Sequence, residues 1–181
     1  MSASRELQIQ GSSLVVLVGP AGSGKSTFAR RHFRPTEVVS SDACRALVGD
    51  GQFDQSASED AFALLRDITR RRLRNRTLTV VDATNVREAD RAPLLVLART
   101  NGVPAVAIVF DLPVETCLER NRSRLDDRVP DRVVRQQFQD LRDELRVLEE
   151  GLDVVHRLSS REDVDSARVM CGFASVSDTD C

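Results

Sequence analysis

Apolar runs recur along this chain at Ser13 to Val18, Glu37 to Ser40, Thr77 to Asp82, Val103 to Asp111 and Asp153 to Leu158. They are rich in Val, Leu and Ile with little polar alternation, the pattern of strands buried on both faces. Between them the apolar spacing turns helical. Strands alternating with helices predict an α/β fold, a parallel five-stranded sheet with helices on both faces.

Several helix boundaries are legible. Ser58, followed by Glu59 and Asp60, reads as an N-cap with acids in the first turn. The same segment closes on Arg70, Arg71, Arg72, Arg74 and Arg76, cations that suit a helix C-terminus and need no nucleic acid to explain them. Pro130 reads as a first-turn proline. From there Val134, Phe138, Leu141, Leu145 and Leu148 recur at helical spacing until Gly151, a C′ residue, so one face of this long helix packs on the sheet. Residues 170–181 show no periodicity. The expected organisation is an N-terminal extension at 1–12, one domain at 13–169, and a tail or the start of a linker at 170–181.

Composition narrows the partners. A length of 181 residues supports one domain with a real core. The formal net charge of −2 excludes a general polycation, so anion binding must come from local clustering. No apolar run reaches the length of a membrane span, and no signal-peptide pattern opens the sequence. Cys44, Cys117, Cys171 and Cys181 have neither metal-type spacing nor the look of a disulfide framework, which favours a reducing cytoplasm. His32 and His156 stand apart from any ligand pattern.

The chemistry begins at Gly19-Pro20-Ala21-Gly22-Ser23-Gly24-Lys25-Ser26, which fits the phosphate-binding pattern G-x-x-x-x-G-K-[ST]. Glycines let successive N–H groups turn inward on an anion, and the helix starting near Lys25 adds its positive end. Of 26 basic residues, Lys25 is the only lysine. A compact ammonium reaches the β- and γ-phosphates where a planar guanidinium would crowd the loop. Ser26 supplies a hydroxyl for Mg²⁺.

Ligands of an open parallel sheet bind at the carboxyl ends of its strands. The second strand ends in Ser40-Ser41-Asp42, where Asp42 can take the proton of an attacking hydroxyl; capping the short segment Ala43 to Val48 is the equal alternative. The third ends at Asp82, with the apolar-run-then-Asp form of a Mg²⁺-holding acid, and Ala83-Thr84-Asn85 follows as a candidate wall of the acceptor site or the capped start of a helix. Arg120, Arg124 and Arg128 are spaced i, i+4, i+8. If helix runs through them, they form one face and a lid that neutralises charge on the transferring phosphoryl group; a solvated face paired with Glu119, Asp126 and Asp127 is the alternative.

Together these segments resemble the kinase domain of bacterial polynucleotide kinase-phosphatases, enzymes of RNA end healing and repair. The matching stretches are 19–29, Val-Ser-Ser-Asp-Ala-Cys-Arg-Ala-Leu-Val at 39–48, Asp-Gln-Ser at 54–56, Val-Val-Asp-Ala-Thr-Asn-Val at 80–86 and Glu-Arg-Asn-Arg-Ser-Arg at 119–124. The resemblance spans about Ser13 to Leu158. It implies a P-loop NTPase of adenylate-kinase-like fold with a helical arginine lid, and ATP-dependent phosphorylation of 5′-OH ends of RNA or DNA. In that reading Gly22, Ser23, Gly24, Lys25, Ser26 and Thr27 bind ATP phosphates, with Mg²⁺ at Ser26 and Asp82. Asp42 is the general base and Arg45 grips the phosphate 3′ of the terminal nucleoside. Gln55, Thr84 and Asn85 hold the nucleic acid. Arg120, Arg124 and Arg128 form the lid, Arg124 sharing in catalysis with Lys25, although one extra residue before Arg128 departs from the family spacing. Family members usually carry phosphatase and ligase-type domains as well, which implies an excised module or a naturally short protein. A kinase for a sugar acid or an antibiotic hydroxyl would use the same donor machinery, and a nucleotide-gated interaction module would need only part of it.

Overall fold

A computed structural model describes residues 5–51, 55–125 and 128–172. At its centre lies β2 (Leu14–Val18), whose five residues are all buried. β4 (Thr79–Asp82) pairs on one side of it and β5 (Ala105–Phe110) on the other, both parallel. β3 (Val38–Ser40) and β6 (Val154–Leu158) complete a five-stranded sheet in the order β3-β4-β2-β5-β6. The five strands expected from the apolar runs are these five, trimmed by one or two residues at their ends.

Side chains of β2 point alternately to opposite faces, which splits the core in two. Val15 and Leu17 join Phe28, Ile108, Phe110 and Leu118 in one cluster. Leu14, Val16 and Val18 join Leu65, Leu73, Val81 and Leu94 in the other. The first cluster is covered by α1 (Lys25–His32), α5 (Val114–Arg122) and α7 (Arg161–Ser166), the second by α3 (Ser58–Arg74) and α4 (Glu88–Thr100). α6 (Asp131–Glu144) serves both, with Val134 in one and Leu141 in the other. The short α2 (Ser41–Val48) follows β3 directly.

Two local expectations are corrected, and one strand pairing was not expected. Ser58 is the first helical residue of α3, not its cap, because the 3-10 turn Gln55–Ala57 runs straight into the helix and puts Ala57 at the cap. α6 stops at Glu144: beyond it the chain tightens into i to i+3 turns, including Val147 N–H to the Glu144 carbonyl at 3.1 Å, before Gly151 takes a φ of 76°. Those turns still bury Leu148 in the same cluster as Leu141. Finally, β1 (Glu6–Gln10) and β7 (Arg168–Gly172) form a separate two-stranded parallel sheet. The apolar residues of β1 alternate, with Leu7 and Ile9 buried.

Candidate active site

The turn between β2 and α1 is built by glycine. Gly19, Gly22 and Gly24 have φ values of 155°, 80° and 100°, and Gly24 stands at the N-cap of α1 without a side-chain cap. The latter two lie in the left-handed region that other residues enter only at a cost. Gly22 is also hemmed in, since a Cβ there would run into the Cys117 carbonyl oxygen and lie 2.9 Å from the Cys117 carbonyl carbon. The loop is therefore seated against α5. Its first residue is tied to the turn after β4 by Gly19 N–H to the Thr84 carbonyl at 2.9 Å.

Lys25 is buried in this turn. Its Nζ donates to the carbonyls of Gly19 at 2.7 Å and Pro20 at 2.9 Å. Burial lowers its pKa to about 8 against the opposing pull of Asp82. Asp82, at the carboxyl end of β4, is shifted the other way: burial raises its pKa, while Lys25 and a hydrogen bond from the Ser26 hydroxyl hold it down. A buried ammonium, a buried carboxylate and a hydroxyl thus share one corner. Ser26 and Asp82 are hard oxygen donors held together, a pair that fits Mg²⁺ completed by water and phosphate oxygens.

Asp42 and Arg45 occupy the first two turns of α2, whose N-cap Ser40 accepts from the Ala43 N–H at 3.4 Å. Ser40 therefore fills the cap role that sequence left open for Asp42. Arg45 Nη1 donates to Asp42 Oδ1 at 2.7 Å. The guanidinium is 10% exposed and the carboxylate 50%, so the arginine is fixed and the acid stands open.

Two cavities meet at these groups. One, of about 830 Å³, is lined by Lys25, Asp42, Arg45, Asp82, Thr84 and Arg124 among others. The second, of about 950 Å³, shares Ser26, Asp42, Asp82 and Arg124 and extends over Thr27, Phe33 and Val38. A smaller one of about 240 Å³ lies outside the loop between Gly24, Thr27, Arg31, Arg120, Val164 and Asp165. Sequence reading had no hold on this third cavity, since α7 reaches the loop only through the fold.

The lid arginines do not form one helix face. α5 ends at Arg122 and Ser123 caps it, so the i, i+4, i+8 relation is lost after Arg120. The cause is Asn121, which is buried and clips the returning chain: Nδ2 donates to the Val129 carbonyl at 2.6 Å and Oδ1 accepts from the Val129 N–H at 3.1 Å. Arg120, still within α5, reaches the Ser23 carbonyl at 3.3 Å. Arg124 lines both large cavities, and Arg128 lines the one of about 830 Å³. Of the partners named for a solvated face, Glu119 pairs with Arg161, and Arg128 pairs with Asp131; Asp126 and Asp127 lie outside the described residues.

Asn85 is likewise not brought to the cavity. It is buried with a φ of 48°, and its Nδ2 donates to the Leu17 carbonyl at 2.8 Å. It locks the end of β2, leaving Ala83 and Thr84 as the wall. Gln55 opens the 3-10 turn before α3, and its side chain lies outside the described set, as does Asp54.

Comparison with known proteins agrees with this architecture. The sequence profile of the family described as AAA domain matches residues 14–148. The Pnkp1/Rnl/Hen1 RNA repair complex contains a chain of 26% identity and TM-score 0.66, matched over 77% of this chain and 47% of its own. This chain thus spans about half the length of that relative. The AvrRxo1-ORF1:-ORF2 complex with ATP matches with TM-score 0.59 at 19% identity, over 76% of this chain and 49% of that one. A gluconokinase from Sinorhizobium meliloti matches with TM-score 0.55 at 17% identity, over 87% of both chains. No curated protein sequence matches. Among the described residues no helix is long and apolar enough to cross a membrane.

Proposed function

We propose that this chain, which belongs to the AAA domain family and is a P-loop kinase, acts as an ATP-dependent polynucleotide 5′-hydroxyl kinase on RNA or DNA ends, within a domain covering residues 13–169. The observation that carries the reading is the Asp42–Arg45 pair at 2.7 Å, facing Lys25 across one cavity. A simple metabolite kinase needs the base. A buried guanidinium one turn from it, positioned for an anion, adds recognition of a backbone phosphate.

In this mechanism the loop N–H groups and Lys25 hold the triphosphate of ATP. Its adenine would enter the 240 Å³ cavity, which Arg31 and Arg120 line. Ser26 and Asp82 would hold Mg²⁺, which when bound screens the phosphate oxygens. The acceptor end enters from the Arg45 side with its 3′ phosphate on that guanidinium. Asp42 takes the proton of the 5′-OH as that oxygen bonds to the γ-phosphorus, and the bond to the bridging oxygen breaks, releasing ADP. Arg124, between the two cavities, meets the charge that spreads over the phosphoryl oxygens.

The test is an acceptor screen with labelled ATP. Oligonucleotides with 5′-OH ends and nucleoside 3′-phosphates are expected to be labelled, plain nucleosides poorly. Asp42→Asn should lower kcat by about 10²–10⁴-fold with ATP binding retained. Equal turnover of nucleoside and nucleoside 3′-phosphate, or a metabolite preferred over every oligonucleotide, would overturn the assignment.

A further inference from the structure

The helix that follows the lid touches the phosphate loop directly. Gln137 of α6 accepts, through Oε1, the N–H of Ala21 at 2.9 Å, across 116 residues of sequence. Its neighbours along the loop are served by backbone carbonyls, Gly19 N–H by that of Thr84 and Ser23 N–H by that of Pro20. Gln137 also lines the acceptor-side cavity beside Lys25, Asp42 and Arg45.

The same face of α6 is held from behind. Gln137, Asp140 and Glu144 are spaced i, i+3, i+7 and so project together. Asp140 takes Arg87 Nε at 2.7 Å and Glu144 takes Arg91 Nη2 at 2.8 Å. Arg91 in turn donates to the carbonyls of Asn85 at 2.9 Å and Val86 at 2.8 Å, just past the acceptor wall at Thr84. One helix face thus grips both the acceptor loop and the phosphate loop, at the first residue after Gly19-Pro20. Gly22 to Thr27, which lead into α1, are left to hold the donor.

We propose that Gln137 is a positioning residue for phosphoryl transfer: through the Ala21 amide it sets the mouth of the phosphate loop in register with the acceptor cavity. The inference rests on the kinase reading above. Its effect falls on alignment in the transition state: the Pro20–Ala21 peptide that it holds carries the carbonyl on which Ser23 N–H and Lys25 Nζ rest, so the bond sets where the ammonium meets the transferring phosphoryl group.

The experiment compares Gln137→Met, which keeps the length and loses the acceptor, with Gln137→Glu, which keeps an oxygen at the Ala21 amide. For Gln137→Met, kcat should fall roughly tenfold while the Kd for ATP stays within about threefold, the mark of an interaction realised in the transition state. Gln137→Glu should restore kcat at saturating substrate to within about threefold of the parent, its added charge appearing in KM. Unchanged kcat in Gln137→Met, or equal loss in both variants, would overturn the proposal. Hydrogen exchange at the Ala21 amide reads the bond without any acceptor. Protection in the parent that is lost in Gln137→Met supports the inference even if the polynucleotide assignment fails, and equal exchange in both rejects it.

Discussion

Replacing Gly22 by alanine tests whether the phosphate loop is seated on α5 as the structure has it. Two costs add. The φ of 80° puts an L side chain in the left-handed region, about 1–2 kcal/mol. The new Cβ meets the Cys117 backbone on a packed helix, which has to move, about 1–3 kcal/mol as for other overpacked sites. Together they predict a loss of about 2–5 kcal/mol, or roughly 5–20 °C in Tm for a chain of this size. Gly102 supplies the control: its φ is 58° but nothing lies within 4 Å of its Cβ position, so alanine there carries the backbone cost alone. Thermal unfolding of both variants and ATP titration of the folded forms make the measurement. Gly22→Ala should unfold at least several degrees below Gly102→Ala and bind ATP roughly tenfold or more weakly. If the two variants have the same stability and the same ATP affinity as each other, α5 does not rest on the loop and the reasoning fails.

Two further outcomes follow from charges held by hydrogen bonds. Arg91→Leu removes the partner of Glu144 and of two carbonyls at a site only 2% exposed, and should cost about 3–5 kcal/mol in urea unfolding; a loss below about 1 kcal/mol would refute the role given to it. Asp163 accepts from the N–H groups of Ser159 and Ser160, which holds its carboxyl below the usual carboxylate range. A folded-state pKa below the unfolded one gives stability that is present above the unfolded value, about 4, and lost as pH falls through the folded value. The stability difference between the parent and Asp163→Asn should therefore be constant from pH 7 to about 5 and shrink below about 4 in urea titrations; a difference that persists undiminished at pH 2 would contradict this.

The likeness to an RNA repair chain and the likenesses to a gluconokinase and to AvrRxo1 bear on different levels. At 17% and 19% identity the latter two speak for the fold alone. What all of them have in common with this chain is an architecture. The proposed acceptor is argued instead from Asp42 and Arg45, because substrate choice lives in a site and not in a fold.

What the sequence determined by itself was local. Glycines at 19, 22 and 24 can take backbone angles that other residues avoid, so the phosphate loop was readable from eight residues. Runs such as Leu14–Val18 have no polar face to give to water, so their burial on both sides was readable too. An acid at the end of such a run, Asp82, falls at the mouth of the sheet for the same reason. Tertiary structure decided what depends on residues far apart in the chain. β1 finds β7 more than 150 residues away, with Leu7 opposite Val169. Asn121 ends α5 by holding Val129, which parts Arg120, at the Ser23 carbonyl, from Arg124 and Arg128, which line one cavity, where helical spacing alone put all three on one face. Asn85 turns inward to Leu17, and Gln137 reaches Ala21 from the far side of the lid. Such contacts form because packing brings their partners together, and neither spacing nor composition encodes that meeting.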